Sequence, residues 1–206
     1  MRKYICLILL VMLNSCDNYT SRNITYQGIL KQAPEFLVNH FPKEINENPL
    51  YLYVGTDERN QRKDYTFFLI NCDTVKSYIK TLDKISIGKY TSSDMNLIII
   101  KNSLDIELGR YKNIDSLKQN NIFYYPIPFI DTLYDLDKED RLKIFSSTQS
   151  GLSKNFTIYV LDSKPGIYWN GLKELSYMPN GWKNGYSTGV SINERERIVI
   201  YWFVVW

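Results

Sequence analysis

Nine consecutive residues, 198–206, read IVIYWFVVW, with no charged side chain among them. A strand with one wetted face alternates apolar and polar residues with a period of two. This run does not alternate, and its β-branched and aromatic residues favour a strand over a helix. Such a strand belongs inside a sheet, covered on both faces. At a sheet edge it would be a template for aggregation, which natural chains avoid. The chain must therefore supply a pairing strand on each side of it and a covering layer on each face. The nearest partner is residues 186–192, YSTGVSI, joined to it through the polar turn 193–197, NERER, as a hairpin.

The remaining elements follow from local pattern. Strands are expected over 50–54, 65–71, 97–101 and 156–161. The charged turn 58–64 precedes the second of these, and 104–108 pairs with the third across Asn102-Ser103. The clearest helix spans 74–85, where Val75, Tyr78, Ile79 and Leu82 repeat at i, i+3, i+4 and i+7 behind an Asp73 N-cap. A shorter helix is expected over 33–40, with Pro34 in its first turn and Pro42 past its end. Another is expected from Asp137 through Phe145, with Leu142 and Phe145 on its buried side. Pro126 and Pro128 hold an extended path, and 146–155 is polar enough to be a loop. Together these give a single α+β domain over 27–206. Its sheet is mixed but largely antiparallel, with five to seven strands and two or three helices.

At the other end, Arg2 and Lys3 precede an unbroken apolar run, Tyr4 to Leu13, closed by Asn14-Ser15-Cys16. The run is too short to span a bilayer, which needs ~20 residues, and has the size of a signal-peptide core. Leu13-Asn14-Ser15-Cys16 resembles the lipobox of bacterial lipoproteins. The resemblance implies that residues 1–15 are a signal peptide, that Cys16 carries acyl chains on its sulfur, and that the mature chain begins there. Residues 17–26, DNYTSRNITY, are polar and aperiodic and read, with Cys16, as a lipidated tether over 16–26. The implied location is a bacterial cell envelope, on the periplasmic or surface face of a membrane.

Charge and cysteine usage agree with that placement. The chain has 25 basic and 22 acidic residues; two of the basic ones, Arg2 and Lys3, leave with the signal, so the rest is nearly neutral. With no dense basic run, nucleic acid is not an expected partner, and the anchor must be lipid rather than charge. Of three cysteines, Cys6 leaves with the signal and Cys16 is lipidated, so Cys72 has no partner within the chain. An exported domain without an internal disulfide must hold itself by packing. The 44% hydrophobic content, rich in Tyr and Phe, permits that.

Three patterns invite a catalytic reading. Gly185-Tyr186-Ser187-Thr188-Gly189 matches G-x-S-x-G, but the hydrolase elbow needs a strand before the serine, a helix after it and a later histidine. Here a hairpin follows, and the single histidine is His40. The pattern reads instead as small residues at a bulge or a close contact. Cys72, between a strand and a capped helix, would be the nucleophile of a small cell-wall or glycan hydrolase with His40 as base. Against it, Asp73 opposes thiolate formation and cysteine is commonly a buried residue. The acidic run Asp131, Asp135, Asp137, Glu139 and Asp140 lacks the Gly and Glu of a calcium loop and suits a helix start. No catalytic residue, metal site or cofactor is assigned.

What remains is 165–189, PGIYWNGLKELSYMPNGWKNGYSTG, in which aromatics mix with Gly, Asn and Pro. Aromatic faces beside amides can hold a sugar ring or a partner's side chain. Trp182, Tyr186 and Trp169 are the candidate ligand contacts; the other reading of the stretch is a long ordered loop whose aromatics staple it to the sheet. Trp182, flanked by Asn180-Gly181 and Asn184-Gly185, is expected to be the most exposed, and Trp169 to lie inside. The reading is a non-enzymatic, membrane-anchored binding module with a protein or glycan ligand.

Overall fold

The computed structural model describes residues 23–45, 51–56, 65–72, 75–95, 97–100, 124–130, 146, 148–176 and 178–206. Three helices occur among them: α1 over 23–32, α2 over Glu35–Val38 and α3 over Val75–Ile85. The strands are β1 (Tyr51–Thr56), β2 (Tyr65–Cys72), β3 (Gly88–Thr91), β4 (Ile99–Ile100), β5 (Ile127–Pro128), β6 (Phe156–Pro165), β7 (Gly185–Asn193) and β8 (Ile198–Val205). Six of them form one sheet in the order β1-β2-β8-β7-β6-β3, and every neighbouring pair is antiparallel. β4 and β5 form a separate parallel pair. The fold is α+β, as the pattern of elements implies.

β8 lies inside the sheet, between β2 and β7, and all eight of its residues are buried. Val199, Tyr201, Phe203 and Val205 face a helical layer made of Tyr26, Ala33, Leu37, Val38, Phe41, Ile45 and Leu82. Ile198, Ile200 and Trp202 face the other way, onto Leu97, Ile99, Ile127, Ile130 and Leu152. Val204 and Trp206 meet Ile98, Ile100, Leu175 and Met178 on that same side. The sheet is thus the middle of three layers, and the short β4–β5 pair is part of its second cover. Each large side chain buried this way contributes ~1.5–3 kcal/mol, so β8 and its two covers form the centre of the core.

The glycines of β7 are explained by the indoles of β8. Gly189 lies opposite Trp202 in the register. A Cβ on Gly189 would sit 2.2 Å from Cζ2 of Trp202 and 2.3 Å from the carbonyl oxygen of Tyr159. One on Gly185 would sit 2.7 Å from Cζ2 of Trp206. Each ring lies across a strand that has no side chain at that point. Trp202 Nε1 donates to Ser191 Oγ at 3.1 Å, so the buried indole is not left without an acceptor. G-x-S-x-G here is a floor for two tryptophans.

Several boundaries differ from the sequence reading. The helix expected over 33–40 shrinks to the single turn Glu35–Val38, because Pro34 has no N–H and disfavours helical geometry at Ala33. Pro34 becomes the N-cap of the single turn α2, and α1 precedes it. The tether expected over 16–26 runs into α1 from residue 23, and Tyr26 is fully buried with its hydroxyl donating to the Pro42 carbonyl. Tyr26, Ile29, Leu30 and Ala33 share one helical face across the assumed domain boundary, and so the boundary hid the period. Of the strand expected over 97–101, Leu97 and Ile98 lie outside β4, Ile99–Ile100 form it, and Lys101 is outside the described residues. Its expected partner 104–108, the helix from Asp137 through Phe145 and the Asp73 cap lie outside the described residues.

The glycine argument has a direct check. Gly189→Ala should destabilise the domain by about 1–3 kcal/mol, because the methyl overlaps both a ring and a carbonyl. Gly28→Ala, on α1 with nothing within 4 Å of the added carbon, should instead stabilise by ~0.5–1 kcal/mol through helix propensity. Chemical denaturation of both variants reads the contrast.

Candidate functional site

The segment 166–184 joins two paired strands and wraps around the end of the sheet. Its base is closed by Gly166 N–H donating to the Asn184 carbonyl at 3.0 Å. Gly185 and Trp206 exchange a pair of backbone bonds at 2.9 Å just inside it. Leu175 N–H donates to the Lys183 carbonyl at 2.9 Å, and two turns lie between them, Met178 N–H to Leu175 and Trp182 N–H to Pro179, at 3.1 and 2.8 Å.

One end of the segment meets the helical layer. Tyr168 stands edge-on to Tyr186 with centroids 4.5 Å apart, and Phe36 of α2 reaches both rings at 5.7 and 4.8 Å. Tyr186 is 2% exposed, yet its hydroxyl donates to Asp162 Oδ2 at 2.5 Å. Burial, and then the hydrogen bond to Asp162, push the Tyr186 phenol well above its ordinary range. Asp162 reaches that position because the β6–β7 register shifts between Val160 and Asp162. Its other oxygen accepts from Ser163 N–H at 2.9 Å, and Lys164 Nζ lies 3.3 Å from Oδ2. Outside this group stand Phe36, 37% exposed, and Ile167, 79% exposed.

The other end crosses to the opposite face. There Trp182 lies nearly parallel to the fully buried Trp206, at 16° and 6.2 Å between centroids. Trp206 Nε1 donates to the Trp182 carbonyl at 2.8 Å, which locks the pair. Trp182 is half-buried, one face of its ring spent on Trp206. Lys183 and Glu174 sit beside it, 3.9 Å apart.

The three candidate contacts are therefore not one site. Trp169 is half-buried against the helical-face core, and Tyr186 is buried there with its hydroxyl committed to Asp162. Trp182 is on the far side, packed with Leu175, Met178 and Trp206. Phe36, Ile167 and Asp162 were not singled out in the sequence. Their proximity depends on a one-turn helix and a bulge, for which no local pattern gives a signal.

The catalytic patterns resolve in the same way. Ser187 is fully buried, its Oγ 2.6 Å from Ser163 Oγ, so no exposed hydroxyl exists at this G-x-S-x-G. His40 Nε2 lies 3.1 Å from the Trp202 carbonyl, which it can only donate to, and Nδ1 is buried without a partner. Desolvation holds the imidazole down at about 4, against the opposing effect of backbone bonds to Trp202 and Gly189. This histidine pins the helical layer to the sheet. Cys72 ends β2, its Cα paired with Ile198; its thiol, like Cys16 and the acidic run 131–140, lies outside what is described. Among the described residues, no three His, Cys, Asp or Glu side chains converge on a metal-sized site, and no helix is long and apolar enough to cross a membrane. Compared with protein-family models, curated proteins and solved structures, the chain matches none.

The buried imidazole has a pH consequence. Its folded pKa of about 4 lies below the unfolded value of 6.5. The unfolded state therefore binds more protons between these limits. The stability owed to neutral His40 is complete above pH 6.5, falls as pH drops through the window, and levels off below 4. The loss is at most on the order of 3 kcal/mol, at about 1.4 per unit, and is reduced by the solvent that the half-buried residue still meets. His40→Gln should lack this limb, so urea midpoints measured from pH 7 to 4 should fall more steeply for the parent than for the variant.

Proposed function

We propose that this chain is a non-enzymatic lipoprotein of a bacterial cell envelope, held on a membrane by acyl chains on Cys16 and binding a protein or glycan ligand. The anchoring half rests on the ordered basic head, apolar core and lipobox-like Leu13-Asn14-Ser15-Cys16. The single observation behind the binding half is the Trp182–Trp206 stack. A half-buried indole laid on a buried one, beside Lys183 and Glu174, gives an apolar plane with polar groups at its rim. Sugar rings and partner side chains are held by that combination. The hydrolase alternative loses support from the place of its base: His40 is committed to a sheet carbonyl and titrates far below neutral pH.

Two variants test the halves separately. Cys16→Ser should abolish incorporation of labelled fatty acid, and undiminished label would remove the anchoring reading. Trp182→Ala should cost only about 1–2 kcal/mol of stability, for a half-buried ring. The same variant should lose most of its retention on purified cell-wall glycan, or of its cross-linking to an envelope protein. A Trp182→Ala protein whose melt collapses while binding persists would make the ring a structural staple.

A further inference from the structure

The helical layer carries exposed apolar side chains on α1 (Ile24) and α3 (Ile85), and a further pair, Phe36 and Ile167, stands where the segment 166–184 begins. Ile167 is 79% exposed, Phe36 is 37% exposed, and Tyr168 lies between Phe36 and the buried Tyr186. The three rings fill one another's space, with centroids 4.5 to 5.7 Å apart, so no cavity for a small molecule opens between them. What is offered outward at this tip is Ile167, next in the chain to Tyr168, with the largely exposed Lys164 three residues before it. Aromatic rings with a long basic side chain at their margin suit the boundary between water and acyl chains.

The length of chain ahead of the fold limits what this tip can meet. Cys16 and Asn23 are seven residue steps apart, and no peptide spans more than roughly 3.6 Å per step, so the reach is at most about 25 Å. That is less than the ~40 Å breadth of a domain this size. The chain enters the fold at α1, whose Tyr26 belongs to the same helical layer as α2 and its Phe36. An acylated Cys16 therefore keeps this layer close to the bilayer. A leash so short also gives a high effective concentration of the surface, and contacts too weak to hold a free protein there can orient a tethered one.

From this placement we infer that the Phe36–Ile167–Tyr168 tip docks on the lipid surface that holds the acyl chains of Cys16. The inference rests on the lipoprotein reading and adds an orientation to it. The helical layer faces the membrane, and Trp182 sits on the opposite face of the sheet.

The test uses the processed, lipidated full-length protein in vesicles of phosphatidylethanolamine and phosphatidylglycerol. A nitroxide is placed at Ile167→Cys in a Cys72→Ala background, with Glu194→Cys in the exposed β7–β8 turn as the reference. The label at 167 should collide readily with oxygen and about fivefold less often with a water-soluble nickel chelate than the label at 194. Equal nickel accessibility, with mass spectrometry showing diacylglycerol on Cys16, would overturn the docking and leave the lipoprotein reading standing. Absence of the acyl group would overturn both. Hydrogen exchange without any cysteine change provides the second reading. On the same vesicles, amides of 166–169 should be better protected in the parent than in Ile167→Glu, and equal protection would contradict the docking.

Discussion

A strand without a polar face depends on being covered from both sides, and here that requirement organises everything else. β8 sends Val199, Tyr201, Phe203 and Val205 into a helical layer and Ile198, Ile200, Trp202 and Val204 into a second cover. Its neighbours on either side, β2 and β7, satisfy its backbone. The two indoles on the second face are too wide for an ordinary cross-strand neighbour. β7 therefore carries Gly189 and Gly185 beneath them, and Ser191 and the Trp182 carbonyl take their N–H groups. The paired sequences of β7 and β8 are thus two halves of one packing solution.

The covers are fastened by polar groups as well as by apolar contact. His40 bonds the Trp202 carbonyl from the helical side, while Tyr26 ties α1 to Pro42 beyond α2. Asp162 accepts from both Tyr186 and Ser163, at the bulge where β6 leaves its regular register. β3 pairs with β6 over Thr157–Val160 only, so the rest of β6 has no neighbour on that side among the described strands. There the carboxylate on Ser163 N–H, and Pro165 with no N–H of its own, blunt the open edge. The polar contacts that resembled chemistry in the sequence maintain strand pairing and layer attachment.

The central hairpin was legible because the 198–206 run and the NERER turn are strong local signals. The helix α3 was legible from its period, and the α+β class with its largely antiparallel sheet from the order and pattern of the elements. Three things were hidden for physical reasons. The polar Asn23, Thr25 and Gln27 masked α1, although Tyr26, Ile29, Leu30 and Ala33 carry its core-facing stripe. Pro34, taken as a first-turn residue of a helix over 33–40, instead caps a single turn, Glu35–Val38. The 166–184 aromatics were grouped by nearness in sequence, whereas the chain carries Trp169 and Tyr186 to one face and Trp182 to the other. Site residues brought together by a bulge or a wrapping segment leave no periodic trace.

Native-state hydrogen exchange measures the central dependence most directly. If the fold rests on β8, its amides and those facing them on β7 should be the slowest in the domain. They should exchange only through global unfolding, with opening free energies equal to the stability found by denaturation. Amides of β3, at the sheet edge, and of the single-turn α2 should exchange through smaller openings. Amides of Ile198–Val205 exchanging faster than those of β3 would contradict the central place given to that strand.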